Sequence, residues 1–257
     1  VAYNDNNQHA HNQNLKLMTE LFNQWGHFLF HTRNVLFPVF IVMELFLWPP
    51  VAIDNIPGIY LMILGLVMVM MGQGLRILTI GLAYIRRGGR KRRIYAEKLV
   101  IDGFFSHCRN PLYVGNILII TGFLFISGNL TGIIVGSSVF IGIYRLIVYS
   151  EENFLSTEFA QAYTAFCADV PRWIPRFKGL QATIRSYQFD WPAVAVKEYG
   201  TIFTSLIIPL GLMSWKLYLT NKLGEYQYLI IGLTIIIITA YGVVRSLKKT
   251  ERLRSMR

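Results

Sequence analysis

The stretch GFFSHCRNPLYVGN, Gly103 to Asn116, runs without a break into ILIITGFLFI, residues 117–126. A histidine, a cysteine and an arginine stand directly before a proline, and then polarity disappears. Proline suits the first helical position, where its missing N–H would have no partner and its fixed φ is already helical. The pattern therefore reads as a helix that begins at Pro111 and enters lipid. The first-turn N–H groups of such a helix lack intrahelical partners, and the helix dipole favours an anion beside them. Arg109 and Asn110 stand at that position. Two readings stay open on these residues alone: a seat for a carboxylate or phosphate, since arginine pairs well with both, or a loop whose arginine touches lipid headgroups.

Working outward, the surrounding chain is apolar on the scale of a membrane protein. Hydrophobic residues make up 53% of its 257 residues, and the mean hydropathy is +0.41. A membrane span needs about 20 apolar residues, with about 17 as a lower limit. Six runs are candidates, at 34–53, 57–81, 112–127, 130–149, 201–219 and 227–244; the third is short of that limit, which fits a first turn beginning at Pro111. The predicted fold is all-α: a polytopic transmembrane helical bundle of about six spans, with a cytoplasmic amphipathic helix and a cofactor pocket. Its predicted parts are a polar N-terminal segment 1–33, a core 34–200, and a C-terminal pair of spans with a basic tail, 201–257. The turn SGNLTG is too short to join spans three and four as anything but a helical hairpin. In SEENFLSTEFAQAYTAFCADV, Phe154, Leu155, Phe159, Ala162, Tyr163 and Phe166 recur at intervals suited to an amphipathic helix. The prolines of VPRWIPR, Val170 to Arg176, end it.

Charge sets the expected orientation. The net charge is +11, but the basic residues gather in short tracts beside apolar runs. One tract holds Arg86, Arg87, Arg90, Lys91, Arg92 and Arg93; another holds Arg245, Lys248, Lys249, Arg252, Arg254 and Arg257. The alternate loops are almost bare of Lys and Arg. Six spans with both termini cytoplasmic place every basic loop on one side, in a bacterial inner membrane or endoplasmic reticulum. The expected partner is a bilayer with an anionic inner leaflet, not nucleic acid. Cys108 and Cys167 fall in segments assigned to the cytoplasm, where a structural disulfide is not expected, and they have no spacing suited to a metal. The opening VAYNDNNQHAHNQN lacks the apolar core of a signal peptide.

Further clusters carry candidate chemistry. Glu151 and Glu152 are adjacent acids at the inner end of the fourth span, following Arg145 and Tyr149. They can cap the amphipathic helix or seat a cation. GQGLR, Gly72 to Arg76, can serve close helix packing through Gly72 and Gly74, with Arg76 reaching the interface. Arg172 and Trp173 suit the headgroup level. Glu44 is a carboxylate inside the first span, where a charge needs a partner or a task. The hairpin brings the Arg109 and Glu151–Glu152 clusters together, an anion seat beside a cation seat. Such a pair suits a zwitterion with an extra positive centre, or a dinucleotide.

These residues resemble the integral-membrane methyltransferases of the isoprenylcysteine carboxyl methyltransferase and phospholipid N-methyltransferase type. That pattern is Gly-x-Tyr, then Arg-His-Pro-x-Tyr-x-Gly, one helical hairpin, Glu-Glu-x-x-Leu, and a Tyr-bearing helix ending in Val-Pro-x-x-x-Pro. Gly103, Arg109, Pro111, Tyr113, Gly115, Glu151, Glu152, Leu155, Tyr163, Val170, Pro171 and Pro175 fit it. GQGLR resembles the Gly-x-Gly element one helix earlier, so the likeness spans about residues 65–176. Asn110 stands in place of the usual histidine and Phe105 in place of the usual tyrosine.

The resemblance implies S-adenosylmethionine as methyl donor and a lipid or lipid-modified acceptor, either an isoprenyl-type carboxylate or a phospholipid amine. It implies cofactor binding by Gly72, Gly74, Leu99, Val100, Gly103, Phe105, His107, Arg109, Asn110, Pro111, Tyr113, Glu151 and Glu152, with no metal. Arg145 or Arg172 is expected to hold an acceptor carboxylate, and Glu152 to take a proton from an amine or thiol acceptor. The alternatives are a sterol-reductase-like enzyme using NADPH, whose Tyr-Cys-x-x-Val-Pro ending AFCADVP resembles, a small-thiol S-methyltransferase, and a non-catalytic transporter or scaffold built on Glu44 and Arg76.

Overall fold

The computed structural model describes residues 2–52, 56–82 and 98–250, and every regular element among them is helical. The elements are α1 (Ala2–Leu47), α2 (Ile56–Leu82), a 3-10 turn (Gly103–Ser106), α3 (Pro111–Ser127), α4 (Leu130–Asp169), α5 (Leu180–Ser186), α6 (Trp191–Leu219) and α7 (Leu223–Lys249). Among the described residues, five helices are long and apolar enough to cross a membrane: Lys16–Leu47, Pro57–Leu82, Leu130–Asp169, Trp191–Leu219 and Leu223–Lys249. The remaining apolar helix, Pro111–Ser127, has 17 residues, the length at which a span is just possible. This bears out the all-α polytopic bundle. The basic tract Arg86–Arg93 and the tail Arg252, Arg254 and Arg257 lie outside the described residues.

Several boundaries differ from the sequence expectation. The first span ends at Leu47 because Trp48, Pro49 and Pro50 follow, and proline cannot continue a helix. Its apolar face reaches back well before residue 34: Leu29 and Phe30 are buried although His27, His31 and Arg33 interrupt the run. The helix expected at 201 starts at Trp191. Asp190 caps it, its side chain accepting from Ala193 N–H at 2.8 Å, with Pro192 in the first turn. The polar residues Lys197 and Glu198 hid that first half.

The helices neighbour one another in the order α1, α4, α3, α2, α6, α7. Glycine sets the closest approach. A Cβ on Gly72 would lie 2.6 Å from the Gly115 carbonyl oxygen, and a Cβ on Gly65 would lie 2.6 Å from that of Gly122. The pairs are seven residues apart on each antiparallel helix, so backbone meets backbone along one seam of α2 and α3, as small residues allow in lipid. Elsewhere large side chains fill the space: Leu29 and Phe30 of α1 pack with Phe140, Ile143, Tyr144 and Ile147 of α4. Leu212 of α6 joins Val69, Ile119, Phe123 and Ile126. The outermost helix, α7, leans on α6 through Tyr241 against Tyr199 and Phe203.

The α3–α4 hairpin is as tight as expected. Gly128 closes α3 at φ 79°, and Asn129 caps α4 by accepting from Gly132 N–H at 3.2 Å. The expected span and amphipathic helix form one element, α4, broken at Ala160 by non-helical angles, φ 39° and ψ −110°. The break reverses direction. One guanidinium nitrogen of Arg109 lies 2.7 Å from Cys167 Sγ and 3.8 Å from Glu152 Oε1. Those residues would stand roughly 22 Å apart on a straight helix. The last turns of α4 therefore fold back over Glu152. The helix stops at Asp169, before Pro171, as its sequence requires.

Candidate functional site

The mouth of α3 is built by pinning two loops together. Gly103, at φ 61°, opens the 3-10 turn in a conformation that suits glycine. Beyond it, Arg109 N–H donates to Pro171 O and Arg176 N–H donates to His107 O, both at 2.9 Å. His107 is buried and commits both ring nitrogens. Nδ1 donates to the Arg176 carbonyl at 2.7 Å, since a carbonyl can only accept, and Nε2 lies 2.8 Å from the Thr183 hydroxyl. Through these two bonds His107 fastens the loop. Cys108 is fully buried against the carbonyls of Arg172 and Trp173. Burial pushes its thiol up to about 11, so it stays protonated.

On this frame both oxygens of Glu152 are engaged. Asn110 donates to its Oε1 at 2.8 Å, Arg172 Nη2 lies 2.9 Å from its Oε2, and Arg109 stands 3.8 Å away. Burial opposes the charge on Arg109, but Glu152, Cys167 and Tyr163 outweigh it and hold the guanidinium more firmly protonated than usual. Two donors in this knot have no partner: Arg109 Nε and Arg172 Nε are buried and unbonded.

Glu151, one residue and about 100° around the helix, turns to a different set. The Tyr113 hydroxyl stands beside its carboxylate, and Arg33 of α1 is the cation beside the same tyrosine. The Arg33 guanidinium also lies 4.0 Å from the ring centre of Phe30. Glu151 Oε2 is buried with no partner. Two adjacent acids thus have different states, one closed by three donors and one with an oxygen to spare.

A second polar chain lies just inside. Arg76 Nε and Nη2 donate to the two carboxylate oxygens of Glu198 at 2.7 and 2.8 Å. Its Nη1 donates to Asn116 Oδ1 at 2.6 Å, and Asn116 stands beside the Tyr144 hydroxyl. Tyr144 packs on Tyr113, ring centres 5.7 Å apart, so the chain reaches the Glu151 side.

The structure gathers Gly103, Arg109, Asn110, Pro111, Tyr113, Glu151, Glu152 and Arg172 at one end of the bundle. Gly72 is held in the α2–α3 seam, while Gly74 faces open space. Val100 and Phe105 pack with Ile80, Ala193 and Val194 at the foot of α6, and Leu99 beside them is half-buried. Arg145, expected to hold an acceptor, is exposed on α4 and makes no bond to this group. Sequence reasoning missed Glu198 and Arg33. A signal existed for the first: Arg76 at the end of an apolar run needs a counter-charge, and an intramembrane acid is its natural partner.

The free atoms test the fit of S-adenosylmethionine. Unbonded guanidinium N–H groups on Arg109 and Arg172 suit a carboxylate, and an unbonded carboxylate oxygen on Glu151 suits a cation. The residues fit the group. Compared with known proteins, residues 56–162 match the family model described as phospholipid methyltransferase. No curated protein and no solved structure matches the chain.

Proposed function

We propose, for a chain that is an integral-membrane methyltransferase similar to phospholipid methyltransferases over residues 56–162, that the donor is S-adenosylmethionine and the acceptor is the amine of a phospholipid. The donor, when bound, supplies an electrophilic methyl group on a sulfonium that leaves as a neutral thioether. Arg109 and Arg172 would hold its carboxylate through their free N–H groups. Glu151 and Glu152 would offset its positive charge. The site sits at the end of the bundle that the Lys and Arg distribution assigns to the cytoplasm, so the donor comes from water and the acceptor from the bilayer.

The observation that carries this reading is the contrast between the two glutamates. Methyl transfer to a headgroup ammonium needs alignment and water exclusion, and a group to take one proton from the nitrogen so that its lone pair can form the C–N bond as the C–S bond breaks. The base expected at Glu152 fits Glu151 better, because Glu152 has its oxygens engaged by Asn110, Arg109 and Arg172. Glu151 keeps one oxygen free and buried. That oxygen attracts an ammonium headgroup and would repel a carboxylate acceptor, which favours the phospholipid amine over the isoprenyl carboxylate. Arg33, a charged neighbour of Tyr113 and Glu151, would meet the headgroup phosphate.

The test is transfer. Purified protein in vesicles containing an aminophospholipid is supplied with methyl-labelled donor, and label is expected in the lipid headgroup. S-adenosylhomocysteine is expected to raise the melting temperature, as ligands of the native state do, and NADPH to leave it unchanged. Stabilisation by NADPH alone would replace this reading with the reductase. Label in a prenylated peptide and not in lipid would replace the acceptor.

A further inference from the structure

Resting on the methyl-transfer reading, we infer that Glu198 of α6, outside the segment matched by the family, is a positioning residue for the reaction and that the α6–α7 pair exists in part to hold it there. Glu198 is 1% exposed and receives both arms of Arg76. Arg76 spends its remaining nitrogen on Asn116 and, at 3.3 Å, on Leu112 O. It has little left for a ligand, so its effect passes through what it holds. Asn116 stands beside the Tyr144 hydroxyl, Tyr144 packs on Tyr113, and the Tyr113 hydroxyl stands beside the Glu151 carboxylate. The acid at one end of this chain thereby fixes the ring that orients the candidate base at the other.

The back of α6 is braced at the same level. Lys248 of α7 donates to Val196 O at 3.0 Å and lies 4.8 Å from the ring centre of Tyr199, while Tyr241 packs on Tyr199. Residues 196 and 199 flank Glu198, so α7 presses the turn that carries the acid toward α2. A buried arginine–carboxylate pair is costly unless its geometry is good, and this one is bidentate with the other donors engaged. Such a pair sets position more than it adds stability.

The experiment compares Glu198→Gln, Glu198→Asp and Asn116→Ala in the full chain, reconstituted in aminophospholipid vesicles. For Glu198→Gln, kcat is expected to fall about 10- to 100-fold, the scale of a misplaced reacting group, with S-adenosylhomocysteine affinity within about twofold. Glu198→Asp should recover part of that loss. Asn116→Ala cuts the same chain further on and should reproduce it, which keeps the test alive if Glu198→Gln does not fold. Hydrogen exchange supplies a readout free of activity: peptides around Asn116 and Tyr144 should exchange faster in the variants, and those of the 103–110 loop should not. Unchanged kcat per folded molecule, with unchanged exchange, overturns the inference. A wild type that moves no label overturns the methyl-transfer reading instead, and exchange still decides whether Glu198 orders α3 and α4.

Discussion

At Gly132 and Gly136, near its start, α4 meets Glu44 of α1 across bare backbone; at Ser150 to Glu152 it meets arginines, an asparagine and a tyrosine. A Cβ at Gly132 or Gly136 would come within 3.0 or 2.8 Å of Glu44 Oε1, and that oxygen is buried without a partner. The two ends of one straight limb are roughly 25 Å apart by helical rise. At one end an acid is accommodated by making room for it. At the other, acids are surrounded by donors, and the one left with a free oxygen faces tyrosine and arginine. An intramembrane carboxylate alone therefore does not locate the chemistry; the company of complementary charges does.

This contrast breaks most visibly at the crowded end. Glu151→Gln is expected to lower kcat about 100-fold or more, as loss of a proton acceptor does, while Glu152→Gln should act mainly on donor binding, raising its KM by loosening Arg109 and Arg172. Steady-state kinetics with donor and acceptor varied separately checks the split. Equal effects of both on kcat would remove the distinction drawn between the two acids. The next effect lies at the quiet end. Gly136→Val should destabilise by about 1–3 kcal/mol through overpacking, seen as a lower melting temperature, and Glu44→Ala in the same chain should restore part of it. Smallest is Glu44→Gln, which keeps shape and removes the ionisable group. Its melting temperature is expected to stay within a few degrees and its activity within about twofold, since isosteric changes cost little when no partner is lost. A tenfold loss of activity there would make Glu44 part of the reaction.

Much of this was legible in the sequence for identifiable reasons. The hairpin was readable because Pro111, Gly128 and Asn129 are local signals whose meaning does not depend on the rest of the fold. The nearness of Arg109 to Glu152 followed from that hairpin. Glu198 and Arg33 were not legible, because each acts only through a contact between helices distant in sequence, and composition shows each as a polar interruption of an apolar run. For the same reason α1 and α6 looked shorter than they are. The different states of Glu151 and Glu152 were hidden too. Adjacent residues point about 100° apart on a helix, but which direction meets α1 and which meets the Arg172 loop is decided by packing.

Ala160 carries a further consequence. A non-glycine residue at positive φ is strained by about 1–3 kcal/mol, and here the surrounding contacts of Arg109 and Cys167 hold it in place. The chain beyond it makes a ceiling over the acids while the chain before it makes their floor. The spacing between the two is thus set at a single residue within one continuous stretch of polypeptide. One substitution at this corner can therefore change how closely the two segments approach, without touching Arg109, Glu152 or Cys167.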